Sequence, residues 1–183
     1  RIRERLSMAV EGAIKELANG ILKHPANGHL RDDLSSGQLP AKDYYLHTLR
    51  LVYRMLFLLV IEERKLIYRE KRDAAMNRLR DIYYEHYSIQ RLTKLAVRMT
   101  YVDPRKTDLW RSMLTTFALF ENSKHRQALG ITALGSGLFH ADALGPISDQ
   151  QLDNETLLRV IRYLVTFESK AGQLVRVNYA DLD

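Results

Sequence analysis

Leu51-Val52-Tyr53-Arg54-Met55-Leu56-Phe57-Leu58-Leu59-Val60-Ile61 is apolar on every side except at Arg54. A helix of that kind is normally buried all round. Tyr44, Tyr45, Leu46 and Leu49 precede it, and Glu62, Glu63, Arg64, Lys65 and Leu66 follow it. The flanks hold helix formers without Gly or Pro, and Leu, Met and Phe outnumber β-branched residues, which favours helix over a buried strand. The expectation is one central helix over about residues 41–67. A membrane span needs about 20 apolar residues, roughly twice this run, and Arg50 and Arg54 share one face of it. A cation inside a core helix needs a partner carboxylate. Glu62, Glu63 and Glu85 are the candidates for Arg54.

Working outward, 183 residues suffice for one domain with its own core. Hydrophobic residues at 46% and charged residues at 27% are those of a soluble globular protein. There is no cysteine, which excludes a disulfide framework and Cys-based zinc sites. The opening Arg-Ile-Arg-Glu-Arg-Leu shows no apolar signal-peptide core, and a cytoplasmic location is expected. The net charge of +6 is compatible with contact to phosphate backbones. The chain lacks an initiator Met, and Asp181 or Asp183 would cap a helix that does not follow. A fragment of a longer protein is expected.

Leu6, Val10, Ala13, Ile14 and Leu17 give residues 1–22 one apolar helical face. Asn19-Gly20 begins a possible end, and His24-Pro25 breaks the helix. Residues 25–40, with Gly28, Ser35-Ser36, Gly37 and Pro40, read as a loop with at most one short turn. His24, His29, Asp32 and Asp33 lie there without the one-face spacing of a metal motif. Beyond the charged junction Arg69–Arg72, Leu79, Ile82, Tyr83 and Tyr87 mark a helix over 73–87. Leu92, Leu95, Ala96 and Met99 mark another over 88–99. On that second helix Arg91, Lys94 and Arg98 form the best basic row of the chain, suited to lie along phosphates. Val102-Asp103-Pro104 breaks it, and Thr107 or Asp108 caps a helix whose face holds Trp110, Met113, Phe117 and Phe120. Residues 129–152 are a long connection in which Leu138 and Phe139 anchor to the core. Asp153 or Asn154 caps a helix over 155–168, whose apolar face leaves Arg159 and Arg162 to point elsewhere. Leu174, Val175 and Val177 suggest a short extended segment near 173–179. The fold class is therefore all-α: a multi-helix bundle around the buried central helix, in a single domain over 1–183.

No complete catalytic motif is present. Gly135-Ser136-Gly137 lacks the Gly-Lys-Ser/Thr ending of a P-loop. Glu168-Ser169-Lys170 fits half of a metal-dependent nuclease signature but falls at an expected helix end without the other acidic ligand. His47, His86, His125 and His140 are scattered. Catalytic, cofactor-binding and metal-binding residues are each expected to be none.

Several separated stretches resemble one family. They are Leu51–Arg64, Tyr84-Glu-His-Tyr-Ser-Ile-Gln-Arg-Leu92, Asp108-Leu-Trp110, Leu134-Gly-Ser-Gly-Leu-Phe139 and Val177-Asn-Tyr-Ala-Asp-Leu182. In this order they resemble the helical region ahead of the catalytic domain in large adenine-specific DNA methylases of restriction-modification and phage-defence systems. The resemblance implies a parent that transfers a methyl group from S-adenosylmethionine to adenine N6 in double-stranded DNA. It implies that a methyltransferase domain follows in the same chain, with no membrane involved. The Gly-rich cofactor turn and the Asn/Asp/Ser-Pro-Pro-aromatic loop of that family are missing here, so no catalytic residue carries over and this segment is expected to be catalytically silent. The expected role is a helical scaffold that touches the DNA backbone through Arg91, Lys94 and Arg98, with Arg159 and Arg162 second. A helical protein-interaction module docking a partner through 129–152 is the alternative; a nuclease centred on Glu168 and Lys170 is a third.

Overall fold

The computed structural model describes residues 2–98, 101–132 and 136–181. The fold is all-α. The described residues form α1 (Ile2–Lys23), α2 (Gly28–Ser36), α3 (Ala41–Glu63), α4 (Ala74–His86), α5 (Ile89–Arg98), α6 (Asp108–Glu121), α7 (Ser123–Ala128) and α8 (Asn154–Val165). Two three-residue strands, β1 (Thr166–Glu168) and β2 (Leu174–Arg176), pair antiparallel with Phe167 opposite Val175. The remaining regular pieces are short 3-10 turns at Pro25–Asn27, Ser136–Phe139, Gly145–Asp149 and Tyr179–Asp181. Met99, Leu134, Gly135, Leu182 and Asp183, used in the sequence reading, lie outside the described residues.

α3 packs against α1 and α5, and α8 packs along both of those helices. Leu51, Met55 and Leu58 of α3 join Trp110 and Phe117 of α6 and Ile161 and Leu164 of α8 in one continuous core. Local signals set most boundaries. His24 precedes Pro25 in extended backbone, and its Nδ1 accepts from Ala26 N, so α1 stops at Lys23. Asp73 Oδ1 caps α4 through Met76 N, and Asp153 Oδ1 caps α8 through Thr156 N. The start of α6 is capped from outside its own sequence. Asn154 Oδ1 accepts from Leu109 N, while Thr107 makes no side-chain cap bond.

Five expectations are corrected. Residues 25–40 hold α2, with Leu30 buried beneath it. α3 ends at Glu63 rather than near 67, because Lys65 takes a left-handed φ of 58° that closes the helix, with Leu66 N bonded to Ile61 O. A non-glycine residue pays about 1 kcal/mol for that conformation. α8 gives way to β1 after Val165, where Thr166 turns extended and its hydroxyl bonds Arg162 O. Glu168-Ser169-Lys170 therefore lies on a β-hairpin and its turn, not at a helix end. Asn19-Gly20 is no helix end either. Gly20 is where α1 meets α8: a Cβ there would overlap Thr156 Cγ2 and lie 2.9 Å from Leu152 Cδ1. Gly12, two turns earlier, faces the Tyr163 ring in the same way.

Gly20→Ala sets two effects against each other. It gains about 1 kcal/mol of helix propensity, but overpacking costs about 1–3 kcal/mol. The expected net is a loss of about 1 kcal/mol, seen as a lower urea midpoint at unchanged slope. A midpoint at or above that of the parent would mean that α1 and α8 are not in close contact.

Candidate nucleic-acid interface

The basic row of α5 divides in two. Arg91 is half-buried: Nε donates to Ser88 O at 3.1 Å and Nη2 to Ser112 Oγ at 3.0 Å, which ties α5 to α6. Burial lowers its pKa, opposed by the nearby Glu62 carboxylate. Lys94 and Arg98 remain exposed one and two turns along. Arg159 is ion-paired on both sides, to Glu16 and to Glu155, each at 3.3 Å, and bridges α8 to α1. Arg162 is half-buried on the next turn of α8. Of the five cations read from the sequence, Lys94 and Arg98 are therefore the pair best placed to meet a phosphate.

Two buried ionic groups hold the frame beneath this surface. The Arg54 side chain is fully buried. Nη1 donates to Glu121 Oε2 at 2.8 Å, Nε to Leu138 O at 2.9 Å and Nη2 to His140 O at 2.9 Å. The rings of Phe117 and Phe139 flank it, with centroids at 5.4 and 4.9 Å. Its partner is thus Glu121 of α6, not Glu62, Glu63 or Glu85. Glu62 has its own task. Its Oε2 accepts from Tyr83 OH at 2.7 Å and Ile89 N at 2.9 Å, and its Oε1 accepts from Gln90 N at 3.0 Å. A carboxyl group thereby caps the first free N–H groups of α5. Glu63, beside it, accepts from Tyr179 N at 2.8 Å and pairs with Arg176 at 3.5 Å.

α3 is fully buried on one side and partly exposed on the other. Tyr45 and Tyr53 are 52% and 46% exposed, and Leu46, Leu49, Leu56 and Val60 are partly exposed. Residues 46, 49, 53, 56 and 60 recur at steps of three and four, which puts them along one line of the helix. The expectation of burial on every face is therefore corrected: Tyr45 and Tyr53 are exposed, while Leu49, Leu56 and Val60 pack against the core and stay partly exposed. By length and composition α3 is the one described helix that would suffice to cross a membrane, and half of its most apolar window is buried here.

No group of three or more His, Asp or Glu that would hold a metal is found among the described residues. His24 is used as a cap and His29 pairs with Asp33 at 3.2 Å. Glu168 and Lys170 are both exposed on the hairpin. A cavity of about 210 Å³ opens between the start of α1 and that hairpin, lined by Arg5, Leu6, Ala9, Leu164, Phe167 and Val177. Leu138 and Phe139 anchor the 129–152 connection as expected, Phe139 being buried, and Leu144 and Ile147 are buried with it. The partly exposed face of α3 was missed in the sequence because periodicity cannot say which side of an all-apolar helix its own chain will cover. No protein-family model, no curated protein and no solved structure matches the chain.

Proposed function

We propose that this chain is a non-catalytic helical scaffold of an adenine-specific DNA methyltransferase of the restriction-modification or phage-defence type. It packs against the S-adenosylmethionine-dependent domain of the same protein in the cytoplasm and meets the duplex backbone through Lys94 and Arg98. Arg91 holds their helix in place. The parent uses S-adenosylmethionine and double-stranded DNA; this segment binds no cofactor and performs no chemistry. One observation carries the reading. Four of the stretches that resemble the family meet on α3: Leu138 and Phe139 at Arg54, Tyr84 and Ile89 at Glu62, and Tyr179 at Glu63. Beside them runs a partly exposed apolar line with Tyr53 at its centre, fit for a second domain. The same line favours the second reading, a helical interaction module with no DNA role.

The test is co-expression of this chain, tagged, with the domain encoded after Asp183. Capture of a domain bearing a Gly-rich turn and an Asn/Asp/Ser-Pro-Pro-aromatic loop is expected, and Tyr53→Glu is expected to abolish it. Tyr53 is exposed, so folding should change by less than about 0.5 kcal/mol, with an unaltered circular dichroism spectrum. If no such domain follows, the scaffold reading falls and the interaction module replaces it.

A further inference from the structure

The positive charge of this chain is concentrated, and one concentration lies away from α5. Residues 64–81 hold seven Lys or Arg against three acidic residues, a net of +4, with Arg80 already paired to Asp81 at 3.2 Å. This is the connection from α3 to α4 and the first turns of α4. Two contacts join it to the end of α7: Tyr68 OH donates to Leu129 O at 2.7 Å, and Thr132 N to Ile67 O at 3.0 Å. α7 adds Lys124 and Arg126 and no acidic residue. Lys65, Arg69, Lys71, Arg78 and Lys124 are all exposed. None of these five has a carboxylate within ion-pairing distance among the described residues, in contrast to Arg159 with its two.

Lys65 adds a second observation. It stands at φ 58°, where glycine or asparagine is easier to place, and so keeps its charge against local backbone strain. Strain and mutual repulsion held together on one face indicate a partner that relieves the repulsion.

We infer that the α3–α4 connection and α7 form a phosphate-binding face that lies along the backbone of double-stranded DNA. The inference rests on the proposed function for the choice of polyanion. Cations spread over a loop and a helix, with Leu66 as the lone large exposed apolar side chain among them, suit a long, evenly charged strand better than a bilayer. Membrane-surface helices require a broad apolar face beside their charges. Backbone contact of this kind carries no sequence information.

The experiment is titration of a fluorescent duplex with the 183-residue chain from 50 to 200 mM salt. The comparison is with Lys65→Gly/Arg69→Ala/Lys71→Ala and with a control, Lys15→Ala/Lys23→Ala/Lys170→Ala, which removes equal charge from exposed positions elsewhere. Each lost phosphate contact should lower the log–log salt slope by about 0.9. The first variant should therefore lose about two to three in slope and more than tenfold in affinity at 50 mM, equally on unrelated sequences. Its Tm should be unchanged or higher, since Lys65→Gly relieves strain. The control should keep the parent slope. An unchanged slope in the first variant, an equal fall in the control, absence of duplex binding by the parent, or preference for anionic vesicles over duplex each overturns the inference. Capture of the methyltransferase domain is read without DNA, so the scaffold reading stands or falls separately.

Discussion

Arg54→Met is expected to destabilise the protein by about 3 kcal/mol, or roughly 6–12 °C in Tm for a chain of this size. Methionine retains the apolar stem between Phe117 and Phe139 but removes five donors. Two buried acceptors, Leu138 O and His140 O, then face an apolar group, and each orphaned carbonyl costs about 1–3 kcal/mol. Glu121 matters less because it is 26% exposed and turns to water once released. In Arg54→Met the orphaned carbonyls dominate, because the cation itself is gone. Glu121→Ala leaves the fully buried Arg54 cation without a carboxylate and should itself cost about 3 kcal/mol, and Arg54→Met/Glu121→Gln should recover little. Arg54→Lys keeps the charge but not the planar fork, and about half the loss is expected. Urea denaturation measures all four proteins. Hydrogen exchange should speed up at residues 138–140 in Arg54→Met, since the guanidinium pins that segment to α3 and α6. An Arg54→Met protein within about 1 kcal/mol of the parent would refute this account of the buried cation.

Near pH 5, Glu62→Gln should destabilise by about 2–4 kcal/mol despite its near-identical shape. The carboxyl group offers both oxygens to three donors: Tyr83 OH, Ile89 N and Gln90 N. An amide offers one oxygen and sets an NH₂ group against the remaining donors at the start of α5. Titration separates this from a packing defect. Burial pushes the Glu62 carboxyl up to about 7 from its ordinary 4.5, against the pull of those donors and of Arg91. The folded state then holds the proton more tightly than the unfolded state does. The stabilisation from this group is full below about pH 4.5 and is lost as pH rises towards 7. The stability of the parent minus that of Glu62→Gln should fall across that window and stay flat above it. A difference that instead rises with pH would mean that the donors, rather than burial, set the proton affinity.

Much of the bundle was legible in the chain alone. Three- and four-residue apolar spacing marked α1, α6 and α8, an all-apolar run marked α3, and Pro25 and Asp153 mark boundaries by local bonding that needs no distant partner. Arg54 announced its need for compensation, since a cation in an apolar helix cannot go unpaired. Of the five candidate backbone contacts, sequence spacing could align Arg91 with Lys94 and Arg98. It could not reveal that Ser112 and Ser88 O already hold Arg91, or that Glu16 and Glu155 neutralise Arg159.

What the sequence determined by itself is the set of demands: which segments must be helical, which faces must leave water, and which charge needs a partner. Those follow from properties of neighbouring residues within a few turns. The tertiary structure decided how the demands are met. Glu121, rather than a nearer carboxylate, answers Arg54; Glu62 serves α5 instead; Gly20 lies inside α1 where Thr156 leaves no room for a side chain; and Tyr53 of α3 stays exposed. Each of these depends on groups brought together across most of the chain, where contact is set by packing and not by local spacing.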